Sequence, residues 1–322
     1  MRLPRRPLLA LPALLVAPGA RAQSWPDRPV RLIVPFAAGG SVDAGARLLA
    51  DTLGPRIGQP VVVENRAGAG GAIGADAVAK SPPDGLTLLW GSSAVVSIAA
   101  ALRRGLPYDP LADLAPESLV MRAWHGLLAS PRLDAADLRG VVALAKARPG
   151  ALNFASGGVG SATHLLGERL QIAAGIELVH VPYRGSGQIY PDLANGRVHL
   201  AFESLPVALA QARAGTARLI GVTAPARTAL SPETPTLVES GVAGFVTSAW
   251  FGVLAPAATP APLRAAIEAA LVAAAGEERF RSRSEAAGFE VVGSSAAEFA
   301  TLIQDEVRAW REVGARTGLV LE

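Results

Sequence analysis

The chain has 322 residues, half of them hydrophobic, a formal net charge of +3 and no cysteine. A chain without cysteine has no disulfide and no cysteine for a lipid anchor. The first 22 residues hold four arginines and no acid, so +3 less 4 leaves −1 for the rest, and the basic balance gives no support to a nucleic-acid partner.

That leader has the parts of a cleavable export signal. Arg2, Arg5 and Arg6 are basic, Leu8 to Val16 is an apolar run broken by Pro12, and Ala20-Arg21-Ala22 is a small-residue cleavage site. The run is too short to span a bilayer. Arg5-Arg6 resembles a twin-arginine signal, but the flanks favour general secretion. The expected product is residues 23–322, exported to the periplasm and long enough for two lobes.

Val30–Val34 reads as a buried strand that Pro35 ends, since proline has no N–H for a ladder. Phe36-Ala37-Ala38-Gly39-Gly40 follows as a loop, with Ser41 or Asp43 as the expected N-cap of a helix bearing Leu48, Leu49 and Leu53. A strand, a bare Gly-Gly loop and a helix start aim several backbone N–H groups at one spot, which suits an anion. Val61–Asn65 is a second strand. The Gly68-x-Gly70 after it lacks the third glycine of a dinucleotide fingerprint, since Ile73 stands there, so Gly71 and Gly74 are read as helix–sheet packing.

Leu86–Trp90 is a third strand ending in Gly91-Ser92-Ser93, and Leu119–Ser130 a long one suited to a crossing between lobes. A helix is expected over 133–148. Leu152–Ser156 then opens a repeat of the first device: strand, Gly157-Gly158-Val159-Gly160-Ser161, and a helix start with Thr163 and His164. Two such units, one per lobe, make a clamp for an acidic ligand. Leu178–Tyr183 is a strand, Arg184-Gly185-Ser186-Gly187 a loop, and Val198–Ser204 a strand ending in Glu203 and Ser204. Phe245–Ala255 is long enough for the return crossing, and helices are expected over 262–275, 277–287 and 296–316. The order predicts an α/β chain of two lobes joined by two crossings: lobe 1 from 23–122 and 248–322, lobe 2 from 123–247.

The succession of blocks resembles a known family, the TctC or Bug extracytoplasmic solute-binding receptors of tripartite tricarboxylate transporters. The resemblance rests on WPDRPVRLIVPFAAGGSVDAGAR (25–47), QPVVVENRAGAGGAIGADAVAKSPPDG (59–85), LPYDPLADLAP (106–116), LNFASGGVGSATHLLGE (152–168), LVHVPYRGSG (178–187) and SAWFGVLAPAATP (248–260). It implies a type II periplasmic-binding-protein fold, a small carboxylated solute held between the lobes, no catalysis and no cofactor. It also implies a monomer serving transporter membrane subunits or a sensor. The implied ligand-binding residues are Phe36, Ala37, Gly39, Gly40, Ser41 and Asp43 in the first loop, and Gly157, Gly158, Val159, Gly160, Ser161 and His164 in the second. Ser92 and Ser93 would line one wall, and Glu203 stands where the family commonly has an aspartate facing a polar part of the ligand. Ser41-Val42, Trp90 and Trp124-His125 depart from the family pattern and leave the solute open among dicarboxylates, tricarboxylates, acidic amino acids and aromatic carboxylates.

The competing reading is an exported hydrolase or transferase using Ser161 with His164 and Glu168, neighbours on one helix start. Against it, no G-x-S-x-G elbow is present, and His125, His164, His180 and His199 show no metal-binding spacing.

Overall fold

The computed structural model describes residues 25–183 and 188–321. The expected export signal and the expected loop at 184–187 lie outside the described residues. Ten strands form one sheet around a 16-residue strand, β4 (Leu114–Ala129). In the first half, β1 (Val30–Val34) runs parallel to β2 (Val61–Asn65) and β3 (Thr87–Ser92). Between them come α1 (Ser41–Ile57), α2 (Ala72–Ala79) and, after β3, α3 (Ser97–Leu102). The second half repeats the plan: β5 (Leu152–Ser156) runs parallel to β6 (Leu178–Pro182) and β7 (Leu200–Ser204). It also holds α4 (Leu138–Ala147), α5 (Ala162–Ala174), α6 (Ile189–Asn195), α7 (Leu205–Arg213) and β8 (Arg218–Val222). β9 (Ser248–Pro256) returns to the first half, followed by α8 (Ala261–Ala275), α9 (Glu278–Ala286), β10 (Glu290–Val291) and α10 (Ala296–Thr317).

β4 belongs to both halves. Up to Trp124 it pairs antiparallel with β9 and β10, and from His125 onward with β7 and β8. β9 enters beside that change of partner, with Ser248 opposite Trp124 and the Thr247 N–H donating to Thr223 O at 3.1 Å. The two halves are thus joined by two crossing strands, the expected two-lobed α/β plan.

Each half of the sheet has apolar side chains buried on both faces. In the first, Val30, Leu32, Val34 and Trp90 pack under Leu49 and Leu53 of α1, while Ile33, Leu89 and Trp250 pack under Phe299 of α10. In the second, Phe154, Phe202 and Phe245 lie with Leu165, and Leu128 and Ala201 lie with Leu193. The continuous apolar runs of the parallel strands follow from this two-sided burial.

Several boundaries differ from expectation. The N-cap of α1 is Gly40, in extended conformation and with no side-chain cap, rather than Ser41 or Asp43. α4 starts at Leu138 because Asp137 accepts the Gly140 N–H at 2.8 Å, later than residue 133. β4 begins at Leu114, five residues early, and keeps pairing past Pro116 through shifts in register. β9 begins at Ser248, and Phe245 instead stacks on Phe202 at 5.9 Å.

Candidate functional site

The loops after β1, β3, β5 and β7 all leave the carboxyl ends of their strands toward the level where β4 changes partners. β3 ends with Ser92 opposite Phe251, itself opposite Met121, and β7 ends with Ser204 opposite His125. Those strand ends are where open α/β sheets form ligand crevices.

Asp43 holds the first loop. It is 4% exposed, and its Oδ2 accepts the Gly39 N–H at 3.0 Å and Arg47 Nε at 3.0 Å. Its Oδ1 accepts from Arg47 at 3.0 Å and from Asn65 Nδ2 at 2.9 Å. Asn65 also donates to Phe36 O at 3.1 Å, so one amide at the end of β2 ties both ends of the loop. The Arg47 hydrogen bond first, then the Gly39 N–H, hold the Asp43 carboxyl down at about 2. Trp90 supports the helix start from below, its indole donating to Val42 O at 2.9 Å. Gly71 and Gly74 are packing positions: a Cβ on Gly74 would stand 2.8 Å from Pro35 Cα. Phe36, Gly39 and Asp43 are therefore one bonded unit, with exposed Ala37 and Gly40 on its outer side. No described residue accepts from the N–H groups of Gly40, Val42 or Asp43.

The second loop is folded on its own side chains. Gly157 N–H donates to Thr163 Oγ1 at 3.0 Å, Gly158 N–H to Ser156 Oγ at 3.1 Å, and Gly160 N–H to His164 Nδ1 at 3.0 Å. Those three amides are occupied within the loop. Gly158, at φ 125°, makes a turn that only glycine adopts without strain. Ser161 caps α5, accepting the His164 N–H at 3.2 Å and donating to Gly158 O at 2.7 Å. Among the described residues the N–H groups of Val159, Ala162 and Thr163 have no acceptor. Val159 at the loop tip is 70% exposed.

His164 serves the loop with both ring nitrogens. Nδ1 accepts from Gly160, and Nε2 lies 3.4 Å from Glu168 Oε1. Its ring stacks on His180 at 3.8 Å, and His180 Nε2 lies 2.6 Å from Ser156 Oγ. Burial first, then His164, push the His180 pKa down to about 4, so the stack is not a pair of cations. The pair that the competing hydrolase reading needs is not assembled: the Ser161 hydroxyl meets the His164 backbone and not its imidazole.

Ser92 and Ser93 turn the chain into α3, with Ser92 O accepting from Val95 and Val96 at 3.1 Å and Ser93 O from Ile98 at 2.8 Å. Ser92 Oγ and Glu203 Oε1 are buried with no partner among the described residues. Tyr190 of α6 faces Glu203, and burial first, then this carboxylate, hold the phenol above its ordinary range. His125, on β4 opposite Ser204, is also buried, with its pKa pushed down to about 4 by that burial and Nδ1 unpartnered among the described residues.

The site residues therefore form two separately bonded loops, and no hydrogen bond among the described residues joins one to the other. Sequence reasoning missed Asn65, Trp90, Ser156 and His180 as supports. Only Arg47 left a signal, four residues after Asp43 on a helix.

The profile of the family described as Tripartite tricarboxylate transporter family receptor, TctC, matches residues 45–319. Protein BugT of Bordetella pertussis is 40% identical over 312 residues, covering 95% of this chain and 94% of that protein. Among solved structures, R. palustris Rpa4515 with adipate is 33% identical, with a TM-score of 0.77 over 92% of this chain and all of that one. MatC of Rhodopseudomonas palustris with bound malate is 32% identical, with a TM-score of 0.72 over 90% of this chain and 99% of that one. The periplasmic binding protein BugD is 32% identical, with a TM-score of 0.73 over 92% of this chain and 100% of that one. The chain belongs to the tripartite tricarboxylate transporter receptor family, whose members are solute-binding receptors and not enzymes.

Proposed function

We propose that this protein is a periplasmic receptor that captures a small carboxylated metabolite between lobe 1 (23–122 and 248–322) and lobe 2 (123–247) and presents it to the membrane subunits of a tripartite transporter or to a sensor. The observation that carries this reading is the pair of strand–loop–helix units, each with N–H groups at its helix start that no described residue occupies. A carboxylate is met at the first loop by Gly40, Val42 and Asp43 N–H and at the second by Val159, Ala162 and Thr163 N–H. Phe36, Ala37, Gly39, Ser41, Gly157, Gly158, Gly160, Ser161 and His164 complete these loops, Ser92 and Ser93 line the wall, and Glu203 selects the distal group. The Glu203 carboxyl at the end of β7 favours an amine or hydroxyl over a further carboxylate beside it. The relatives solved with adipate and malate support a dicarboxylate-sized guest. Among the described residues no helix is long and apolar enough to cross a membrane, and the receptor is proposed to act as a monomer.

Thermal unfolding of residues 23–322 against small carboxylates and their methyl esters tests this. A ligand at about a hundred times its Kd adds roughly 2.7 kcal/mol, which is several degrees for a protein of this size. The expected result is stabilisation by one acid and none by its ester. Equal stabilisation by acid and ester, or by no carboxylate at all, overturns the carboxylate clamp.

A further inference from the structure

We propose that a cavity at the crossing, distinct from the two loops, is a second ligand site that takes an uncharged, ring-sized apolar molecule carrying one hydrogen-bond acceptor. The cavity measures about 510 Å³, and none of the loop residues, Ser92, Ser93 or Glu203 lines it. That volume lies within the range of small-molecule pockets. Its walls come from both halves: β10 and the turn before it on one side, the start of α7 and residues 224–230 on the other.

The wall chemistry selects the guest. Trp124 and Phe289 are buried and offer ring surface, and Leu205 and Leu230 add aliphatic surface. The charges are already paired. Arg122 lies over the Trp124 ring at 5.1 Å with its Nε 3.3 Å from Glu290 Oε1, and Arg227 Nε lies 3.2 Å from Glu239. Glu290 is further engaged by Trp124 Nε1 at 2.6 Å. A carboxylate guest would have to break the Arg122–Glu290 pair and lie near Glu285, whereas an uncharged guest leaves the pairs intact. Two buried donors in this wall, Arg122 Nε and Thr228 Oγ1, have no hydrogen-bond acceptor among the described residues; the Arg122 Nε contact with Glu290, at 3.3 Å, is an ion pair and not a hydrogen bond. A carbonyl oxygen on the guest supplies what they lack.

The test uses acetophenone and benzamide as uncharged probes and benzoate as the acid of the same size. Saturation-transfer NMR on the purified protein is expected to detect both uncharged probes, with benzoate about tenfold weaker. Ala226→Trp fills the cavity from its exposed wall and is expected to abolish the signal. Thr228→Val removes one donor and is expected to weaken binding about fivefold. Unchanged far-UV circular dichroism and unfolding temperature show that both variants fold. No signal from the uncharged probes up to about 10 mM, benzoate binding that Ala226→Trp abolishes and that is as tight as benzamide's, or full binding of the uncharged probes by Ala226→Trp overturns the proposal. Benzoate belongs to the carboxylate class that the two loops are proposed to take, so only the part of its signal that Ala226→Trp removes is assigned to the cavity. Acetophenone and benzamide carry no carboxylate, and their outcome is read separately from that of the carboxylate screen.

Discussion

At the scale of single residues, two carboxylates carry opposite pH signatures. Asp43 is held at about 2, below its ordinary 3.8, chiefly by Arg47. Its contribution is fully present above 3.8 and is lost as pH falls through 2. Because the Arg47 side chain is 54% exposed, solvent screens the pair, and Asp43→Asn should cost on the order of 1 kcal/mol at neutral pH. The urea-unfolding difference between the two proteins should shrink toward pH 2 and vanish below it, and an undiminished difference there would refute the assignment. Glu306 is the reverse. From a half-buried position on α10 it accepts from Trp250 Nε1 at 2.7 Å, and desolvation there pushes its pKa up to about 7. The native carboxyl keeps its proton where the unfolded one, at 4.5, has lost it, so stability is fully present below 4.5 and declines as pH rises through 7. Glu306→Gln should remove that decline. Since Glu117, also raised to about 7, contributes in the same sense, the quantity to measure is wild type minus variant across the window. A difference that does not vary with pH counts against a protonated Glu306.

At the scale of elements, the repeated strand–loop–helix unit was legible because glycines and hydroxyls interrupt strongly apolar strands. Its internal bonding was not, because Asp43 with Asn65 and His164 with His180 meet only through the fold. For the same reason the α1 N-cap was misplaced: a hydroxyl and a carboxylate near a helix start suggest capping, yet here the carboxylate is bound to an arginine and the turn behind it. α3, six residues long, left no periodic signal to read. Gly167 shows how α5 is seated. A Cβ there would stand 2.0 Å from the Phe154 ring, which stacks on His180 at 4.9 Å. Gly167→Ala should therefore destabilise by about 1–3 kcal/mol despite alanine's better helix propensity. It should also weaken carboxylate binding by displacing the histidine stack. Chemical denaturation together with ligand titration checks both, and a stabilised variant would mean that the ring moves freely.

At the scale of the whole molecule, the proposed capture of a solute between the lobes should depend on how the halves touch beside the crossing strands. The crossings themselves were legible as long apolar runs, but the contact beside them was not. It joins the turn before β10 to the start of α7, segments far apart in sequence. Gly288, at φ 85°, presents its hydrogen to Pro206, and a Cβ there would stand 2.2 Å from Pro206 Cγ. Gly288→Ala thus introduces a wedge between the halves as well as a left-handed alanine costing about 1–2 kcal/mol. The two effects separate in a double-mutant cycle. Pro206→Ala in the Gly288→Ala background removes the wedge and leaves the backbone strain. The single variant is expected to show a larger maximum dimension in small-angle scattering and weaker binding of whichever carboxylate stabilises the wild type. The double variant should recover both while staying less stable than wild type. If Gly288→Ala keeps wild-type dimensions and affinity, or if removing Pro206 restores neither, the halves are not spaced by this contact and closure is set by the crossing strands alone.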